Sequence, residues 1–329
     1  MRAVQVGEYG GPEVLEVADV PDPDPAEGEL VVDVAVADVI FLDTILRRGA
    51  AAQWGMTLPY VAGGAVAGTV RRVGAGVDPG WVGRRVVART GTQGGYAERA
   101  AVAVATAVAL PDDVGDADAA ALSRDGVTAL RLVEVTEAGP GDRVLVNAAA
   151  GGAGALLVQL LLARGVTVVG AARGEEKLAL VRGLGAEAVD YGVSGWTEKV
   201  VAAFGGERPT VLLDGAGGTP GQEAFTVLEE GGRLVAYGAA GGFLQPDEEE
   251  VRRRSLHVLG ITGVQLAPDA VRRLTEKAVE LRRAGTWVPA IRHRLPLAGA
   301  AEAHRRLEER TAVGKAVLVV GGGAVGVGG

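Results

Sequence analysis

Cysteine is absent from this sequence of 329 residues, and histidine occurs only three times. The absence of cysteine excludes disulfides, thiolate zinc sites, iron–sulfur clusters and cysteine nucleophiles. His257, His293 and His304 are too widely spaced to form a local metal-binding motif. No apolar run reaches the roughly 18 residues of a membrane-spanning helix, and the first residues lack the pattern of a signal peptide. We therefore expect a cytoplasmic protein with no bound metal and no membrane partner.

Positive charge is in the minority, since 33 Lys and Arg face 41 Asp and Glu and the net charge is −8. A nucleic-acid binder needs a basic face, so this balance argues against such a partner. Hydrophobic residues make up 48% of the chain, enough for a large core, and the length predicts two domains. The 52 glycines follow no period, which indicates tight turns and close backbone approaches.

The first 119 residues predict short antiparallel strands separated by Gly and Pro turns, in a partly open barrel. Three of these strands are Leu30–Val36, Val66–Val73 and Arg84–Ala88. After a second domain, residues 264–329 return to helices and one last strand: Pro268–Ala284, Ala300–Glu309 and Ala316–Val320. The tail after Val320 contains only Gly, Ala and Val, and its composition predicts a mobile segment.

Between residues 120 and 263, predicted strands and helices alternate, which is typical of a parallel α/β sheet. Six strands in this rhythm match the number in a doubly wound dinucleotide-binding fold. The predicted strands are Arg143–Asn147, Val166–Ala171, Ala186–Asp190, Val211–Asp214, Arg233–Tyr237 and Leu256–Ile261. The predicted helices are Ala155–Arg164, Glu175–Leu184, Trp196–Phe204 and Gln222–Leu228.

A glycine-rich turn follows the first of these strands and opens a helix. Its spacing, Ala148-x-x-Gly151-x-x-Gly154, is a variant of the dinucleotide-binding fingerprint. A small first residue permits the turn, Gly151 lets the backbone approach a pyrophosphate, and Gly154 lets the helix pack on the strand. The helix N-terminus then offers free N–H groups and the positive end of its dipole. This context favours a nucleotide site over a turn without a ligand.

The second strand decides between the two nicotinamide cofactors. NAD enzymes usually carry an acid at its end for the ribose hydroxyls, whereas this chain reads Gly170-Ala171-Ala172-Arg173. Arg173 and Lys177 suit the 2′-phosphate of NADP(H) by their charge. The alternative is that both are surface cations paired with Glu175 and Glu176. The pattern favours NADP(H).

Several motifs, in order and at family spacing, resemble the zinc-independent quinone oxidoreductases (the ζ-crystallin group) of the medium-chain dehydrogenase/reductase superfamily. Besides the glycine-rich turn they include Gly10-Gly11-Pro12-Glu13, Asp43-Thr44-x-x-x-Arg48-Gly49, Gly94-Gly95-Tyr96-Ala97-Glu98 and Gly314-Lys315. The resemblance covers nearly the whole chain. It implies a GroES-like β-barrel domain, residues 1–119 and 264–329, with an inserted Rossmann-like domain, residues 120–263. It also implies a cleft between the domains for nicotinamide and substrate.

The resemblance carries over a set of cofactor residues. Those of the pyrophosphate turn are Ala149, Gly151, Gly152, Ala153 and Gly154. The others are Lys177 and Tyr191 near the 2′-phosphate, Thr128 near the nicotinamide, and Gly238 and Ala239 in a turn against the cofactor. Zinc-dependent relatives carry Gly-His-Glu near Gly63-Gly64-Ala65, so this chain lacks both ligand types there.

The substrate end departs from the family pattern. Quinone reductases usually read Asn-Phe-x-Asp-x-Tyr, whereas this chain reads Ile40-Phe41-Leu42-Asp43-Thr44-Ile45. The resemblance places Ile40, Phe41 and Ile45 in the substrate cleft. Ile40 and Ile45 stand where the family has two polar groups, which makes the pocket more apolar, as a bulky enone would prefer.

Two charged residues are candidates for catalysis. Arg124 precedes the first helix of the cofactor domain, where it could stabilise a developing enolate; its alternative is an ion pair with Asp125 or Asp43. Asp43 orders the cleft or, four residues from Arg47 on a helix, pairs with it. We expect structural or interfacial surroundings for His257 and surface positions for His293 and His304, which arginines flank.

Three functions remain open at this point. The first is metal-free, NADPH-dependent hydride transfer to a quinone or an α,β-unsaturated carbonyl compound. The second is a biosynthetic enoyl reductase or tailoring enzyme for a polyketide-like substrate, which the apolar Ile40 and Ile45 favour. The third is a cofactor-binding protein with little catalysis. A homodimer is expected, because the strand Leu256–Ile261 is an exposed edge that a second copy can extend.

Overall fold

Two patterns of β-structure divide the chain, one antiparallel and one parallel. The computed structural model describes residues 1–320, so the tail after Val320 lies outside it. One unit contains Met1–Val127 and the chain from Ala267 to Val320, and the other contains Thr128–Leu266. The divisions expected from the sequence, at 119/120 and 263/264, fall eight and three residues before these positions.

The first unit is mainly antiparallel. Its strands are β1 (Arg2–Val6), β2 (Leu15–Asp19), β3 (Glu29–Asp38), β4 (Tyr60–Val61), β5 (Ala65–Val73), β6 (Arg85–Arg89), β7 (Arg99–Ala103), β8 (Val108–Ala109), β15 (Ile291–Pro296) and β16 (Lys315–Val319). Its helices are α1 (Phe41–Arg47), α2 (Asp116–Ala121), α9 (Pro268–Arg283) and α10 (Ala300–Glu308).

Strand β3 organises this unit. The strands β15, β16, β3, β5, β6 and β8 follow one another across a sheet, β7 also pairs with β3, and β2, β1 and β4 form a smaller sheet. The β-branched run of β3 is almost fully buried, because it lies inside a core that includes Leu30, Val32 and Val34. Strand β16 joins β3 through Val317–Asp38 pairing, so strands from the later part of the chain extend the sheet that is built on β3.

A π-helical turn, Leu122–Gly126, follows α2 and ends the first part of this unit. Helix α2 packs on β3 and β5, and Trp287 lies against Gly126. Residues 120–127 therefore belong with the antiparallel unit. The sequence did not indicate this assignment, because the alternation of predicted strands and helices was expected to begin at residue 120.

The second unit is a parallel sheet in the order β11-β10-β9-β12-β13-β14. Its strands are β9 (Arg143–Asn147), β10 (Thr167–Ala172), β11 (Glu187–Asp190), β12 (Val211–Asp214), β13 (Arg233–Ala236) and β14 (His257–Gly260). Its helices are α3 (Val127–Thr136), α4 (Gly152–Leu162), α5 (Glu175–Gly183), α6 (Trp196–Ala203), α7 (Gly218–Val227) and α8 (Glu248–Arg253). Each predicted strand is confirmed to within about two residues.

The strand order reverses direction at β9, which has β10 on one side and β12 on the other. In open α/β sheets ligands bind outside the carboxyl ends of the strands at such a switch point. The glycine-rich turn after β9 lies at this position in the sheet.

Candidate active site

The turn between β9 and α4 leaves a helix N-terminus at the edge of the sheet. Gly151 directly precedes the helix, and Gly152, Ala153 and Gly154 are its first three residues. The N–H groups of Gly152 and Ala153 have no carbonyl four residues earlier within the helix, so they are available to an anion. The N–H of Gly151 donates to the carbonyl of Ala148 at 3.0 Å and closes the turn. Gly151, Gly152 and Ala153 are partly exposed. The turn therefore fits the pyrophosphate of a dinucleotide.

Gly154 and Gly151 are glycines for different reasons. A Cβ at Gly154 would lie 2.3 Å from the carbonyl oxygen of Ala148 and 2.8 Å from Cα of Ala149. A Cβ at Gly151 would meet only the Ala148 oxygen, at 3.3 Å. The chain itself thus forbids a side chain at Gly154, whereas at Gly151 it leaves room that a ligand can use.

The cations expected near a 2′-phosphate follow the neighbouring strand β10. The Arg173 guanidinium lies 5.9 Å from the ring centre of Tyr191, which follows β11, and Lys177 is half-buried on the first turns of α5. Glu175 pairs with Arg182 rather than with Arg173. Three predicted cofactor residues therefore lie at the carboxyl ends of β10 and β11.

The remaining predicted cofactor residues have mixed surroundings. Ala149 is fully buried and donates its N–H to the carbonyl of Ala171 at 3.1 Å, so it supports the turn from below. Gly238 and Ala239 follow β13, and a Cβ at Gly238 would lie 2.1 Å from the oxygen of Gly215. Gly238 therefore permits close contact between the loops after β12 and β13. Thr128 is half-buried near the start of α3.

Sequence reasoning missed a buried polar pair at the ends of the central strands. Asn147 Nδ2 donates to Asp214 Oδ1 at 3.0 Å, and Asp214 accepts the N–H groups of Ala216 and Gly217 at 3.2 and 3.1 Å. Burial raises the pKa of Asp214, while these donors oppose that shift. The pair fixes the turn that precedes α7. The sequence did contain a signal for it, because a polar residue ends each of the two apolar strands, Asn147 in β9 and Asp214 in β12.

Asp43 is part of a buried hydrogen-bond chain in the first unit. Its Oδ2 accepts the N–H of Ile40 and the hydroxyl of Tyr96, both at 3.0 Å, and Tyr96 lies 3.2 Å from Nε2 of His304. Asp43 does not pair with Arg47, since Arg47 binds Glu308 and the carbonyl of Gly10. The i, i+4 alternative for Asp43 is therefore wrong. Burial raises its pKa, although Arg124 opposes the shift.

The hydrogen bonds of Asp43 fix the start of helix α1. Ile40, Phe41 and Ile45 are all partly exposed, while Asp43 and Thr44 are buried. Helix α1 thus presents apolar side chains on its partly exposed face, as expected for an apolar pocket wall. Arg48 covers one of them, with its guanidinium 5.9 Å from the ring centre of Phe41.

Arg124 lies on the π-helical turn, against the backbone of Gly64. An ideal Cβ on Gly64 would be 1.9 Å from Nη1 of Arg124, so the guanidinium fills the space of a side chain at position 64. Neither expected partner pairs with Arg124: Asp125 binds Lys315 at 2.8 Å, and Asp43 binds Tyr96 and Ile40. The ion-pair alternative for Arg124 is therefore wrong.

His304 is fully buried on α10, so the surface position expected for it is wrong. His304 lies on the same buried face of α10 as Ala300 and Ala303, and this helical spacing indicates burial better than the arginines that follow His304. His293 is half-buried and accepts the N–H of Val313 at 3.3 Å. His257 is exposed on the edge strand β14.

Because His304 is buried, acid should destabilise the first unit. Burial, with the nearby charge of Arg47, lowers the pKa of His304 from 6.5 to about 3. A lowered pKa in the folded state gives stability that is complete above pH 6.5 and is lost as pH falls toward 3. Between pH 7 and about 4.5 we expect His304 to cost about 1–3 kcal/mol in the free energy of unfolding.

Urea unfolding at both pH values checks this expectation. The His304→Gln variant should lose less stability on acidification than the wild type, and the exposed His257→Gln control should behave as the wild type. Equal losses in wild type and His304→Gln would contradict the assignment of the acid sensitivity to His304.

No cluster of three or more His, Asp or Glu side chains suited to a metal ion occurs in residues 1–320. Over the same residues, no helix combines the length and apolar character needed to cross a membrane.

Known proteins resemble both parts of the chain. Residues 26–112 match the family described as alcohol dehydrogenase GroES-like domain, and residues 152–280 match the one described as zinc-binding dehydrogenase. The quinone oxidoreductase of Pseudomonas aeruginosa is 32% identical over 324 residues, 97% of this chain and 99% of the relative. That of Rattus norvegicus is 32% identical over 329 residues, covering 97% and 98%.

Solved structures extend the likeness to the whole fold. A mycobacterial protein complexed with NADPH superposes with a TM-score of 0.89 at 33% identity, covering 97% of this chain and 100% of that one. The Escherichia coli quinone oxidoreductase complexed with NADPH gives 0.90 at 26% identity, with the same coverage.

A GroES-like domain with an inserted six-stranded parallel sheet is the architecture of the medium-chain dehydrogenase/reductases, so the predicted fold class is confirmed. Within that superfamily, the chain belongs to the quinone oxidoreductase family. It is an oxidoreductase.

Proposed function

We propose that this protein is an NADPH-dependent reductase of quinones or α,β-unsaturated carbonyl compounds. The observation that carries the proposal is the turn from Gly151 to Gly154, which leaves a helix N-terminus open at the switch point of the sheet. The NADPH complexes of its structural relatives support the same cofactor. Oxidation of NADPH on addition of 1,4-benzoquinone tests the proposal.

When bound, the cofactor supplies a hydride. Hydride addition to an enone or quinone leaves negative charge on the carbonyl oxygen, which must be stabilised. We assign this role to Arg124, because among residues 1–320 no carboxylate pairs with its guanidinium. Asp43 is assigned a positioning role, since its buried carboxylate holds the start of α1 through Ile40.

A second candidate is an enoyl reductase or tailoring enzyme for a bulky, polyketide-like substrate. The partly exposed apolar side chains of Ile40, Phe41 and Ile45 favour it, because they offer contact area and no hydrogen bonds. Comparison of kcat/KM for benzoquinone with that for a series of enones and enoyl thioesters of increasing chain length distinguishes the candidates. A rise with chain length supports the second one.

Removing both cations near the proposed 2′-phosphate site should change cofactor preference. In the Arg173→Ala, Lys177→Ala double variant we expect NADPH to bind at least tenfold more weakly and NADH to bind as before. The reason is that charge-assisted bonds to the phosphate, about 1.5–3 kcal/mol each, exist only for NADPH. Fluorescence titration with both cofactors measures this, with the exposed Arg272→Ala as control. Equal weakening of both cofactors would refute the assignment.

Two further expectations stay predictions. The edge position of β14 within the described sheet supports a homodimer formed by sheet extension. The cytoplasmic location rests on the sequence pattern alone.

A further inference from the structure

One ammonium group forms ion pairs with two carboxyl groups inside the first unit. Nζ of Lys315 lies 2.8 Å from Asp38 Oδ1 and 2.8 Å from Asp125 Oδ2, and it donates to the carbonyl of Val39 at 2.9 Å. The side chains of Asp38, Lys315 and Asp125 are 0%, 4% and 16% exposed. The three groups thus form a path from the buried β3 to the edge of the π-helical turn.

The charges of this group do not balance if both acids are ionised. Two carboxylates around one ammonium leave a net negative charge in a largely buried site, which favours a proton on one of them. Asp38 is the more buried acid, and among residues 1–320 its Oδ2 has no hydrogen-bond partner. Burial raises the pKa of Asp38 to about 7, with Lys315 lowering it and Asp125 raising it.

Other charged groups face the same site from neighbouring elements. Arg124 on the π-helical turn lowers the pKa of Asp38, and Arg89 on β6 also lies within range of its charge. Arg89 is committed elsewhere, since it donates to the carbonyl of Ser123 at 2.6 Å. Although burial opposes its charge, Asp125 and Asp38 raise the pKa of Lys315, so the lysine stays an ammonium group.

We propose that Asp38, Lys315 and Asp125 form the proton source for the reduction, with Asp125 as the group that donates to the substrate. The proposal rests on the proposed function. Hydride addition gives an enolate or a quinol anion, which needs one proton. Ile40 and Ile45 carry no proton to give, whereas Asp125 directly follows Arg124, the residue assigned to the substrate oxygen.

The proton steps balance within the three residues. Lys315 gives an Nζ–H proton to the Asp125 carboxylate and takes the proton of Asp38, so the lysine remains an ammonium. Asp125 then gives that proton to the substrate anion, whose electron pair forms the new C–H or O–H bond. Asp125 returns to a carboxylate, and Asp38 regains a proton from water along the same path.

Asp38→Asn tests the proposal, with Asp33→Asn on the exposed part of β3 as the matched control. In carbon-13 NMR of aspartate carboxyl groups, the wild type should show one that titrates near neutral pH. This titration should be absent in Asp38→Asn and unchanged in Asp33→Asn. Turnover should fall about 10²-fold in Asp38→Asn, as expected for loss of general acid catalysis, with NADPH affinity within about twofold.

Asp125→Asn provides a second variant nearer the surface, in case Asp38→Asn does not fold. It leaves Lys315 and Asp38 as a one-to-one pair, so it should also abolish the neutral titration and lower turnover about 10²-fold. The remaining turnover should show a larger solvent deuterium isotope effect than the wild type, because proton delivery has become slow.

The outcomes distinguish failure of the proton source from failure of the proposed function. Loss of both the titration and the turnover supports the proposal. Loss of the titration with unchanged turnover, or no carboxyl group titrating near neutral pH in the wild type, overturns it. If the wild type binds NADPH but reduces no quinone or enone, the proposed function itself fails, and the proton-source proposal falls with it before any variant is compared.

Discussion

Replacing Gly151 by valine should abolish measurable NADPH binding and leave the fold intact. A Cβ there meets one atom, the carbonyl oxygen of Ala148 at 3.3 Å, and a shift of a few tenths of an ångström in the turn relieves this contact. The side chain would instead occupy the space in which phosphates approach the N-terminus of α4. Loss of two charge-assisted hydrogen bonds of about 1.5 kcal/mol each corresponds to binding weakened at least about 10²-fold.

Two other glycines of the same unit make the test specific. Gly154→Val brings its Cβ to 2.3 Å from the Ala148 oxygen, so it should lower thermal stability as well as binding. Gly183→Val, at the end of α5, has no atom within 4 Å of its Cβ and should change neither by much. Fluorescence titration and thermal unfolding measure the two effects. Unchanged affinity in a well-folded Gly151→Val would show that the turn is not the phosphate site.

Replacing Arg124 by glutamine should lower turnover about 10²–10³-fold and leave NADPH affinity unchanged. A donor aimed at a developing oxyanion typically has an effect of this size when it is removed. The structure supports this role because the guanidinium lies against Gly64, without a carboxylate partner in the described part of the chain. Stopped-flow measurement of hydride transfer separates this step from cofactor binding.

Three further variants test whether the Arg124 guanidinium itself accounts for the lost rate. Arg124→Lys keeps the charge and should recover part of the lost rate, and Arg272→Gln on the exposed face of α9 should behave as the wild type. In Gly64→Ala the Cβ would lie 1.9 Å from Nη1 of Arg124 and 2.7 Å from the carbonyl oxygen of Gly91, so this variant should slow turnover and also lower thermal stability. An Arg124→Gln variant with wild-type hydride transfer would remove Arg124 from the mechanism.

The parallel sheet could be predicted because its strands are short, apolar and β-branched, a pattern that local sequence expresses fully. The helix over Pro268–Arg283 was equally clear, since proline begins it and its buried positions follow the helical period. The glycine-rich turn was predicted because its function requires fixed residue types at fixed spacing within one short segment.

The charged cluster could not be predicted in the same way. Asp38 and Lys315 lie at opposite ends of the chain and meet only because β16 pairs with β3. Asp38 ends an apolar run, where sequence alone indicates the end of a strand rather than a buried acid. The Arg124 guanidinium contacts Gly64, which lies about 60 residues earlier between β4 and β5, and its position also depends on the irregular π-helical turn. Such contacts are set by tertiary packing.

The central claim is that this chain uses NADPH to reduce a quinone or an activated enone. Fluorescence titration of the wild type with NADPH and NADH, followed by 1,4-benzoquinone and then a panel of enones and enoyl thioesters, tests it most directly. We predict tighter binding of NADPH than of NADH, and loss of the reduced nicotinamide absorbance with at least one acceptor. Tight NADPH binding without oxidation by any acceptor would contradict the claim and indicate a cofactor-binding protein with little catalysis.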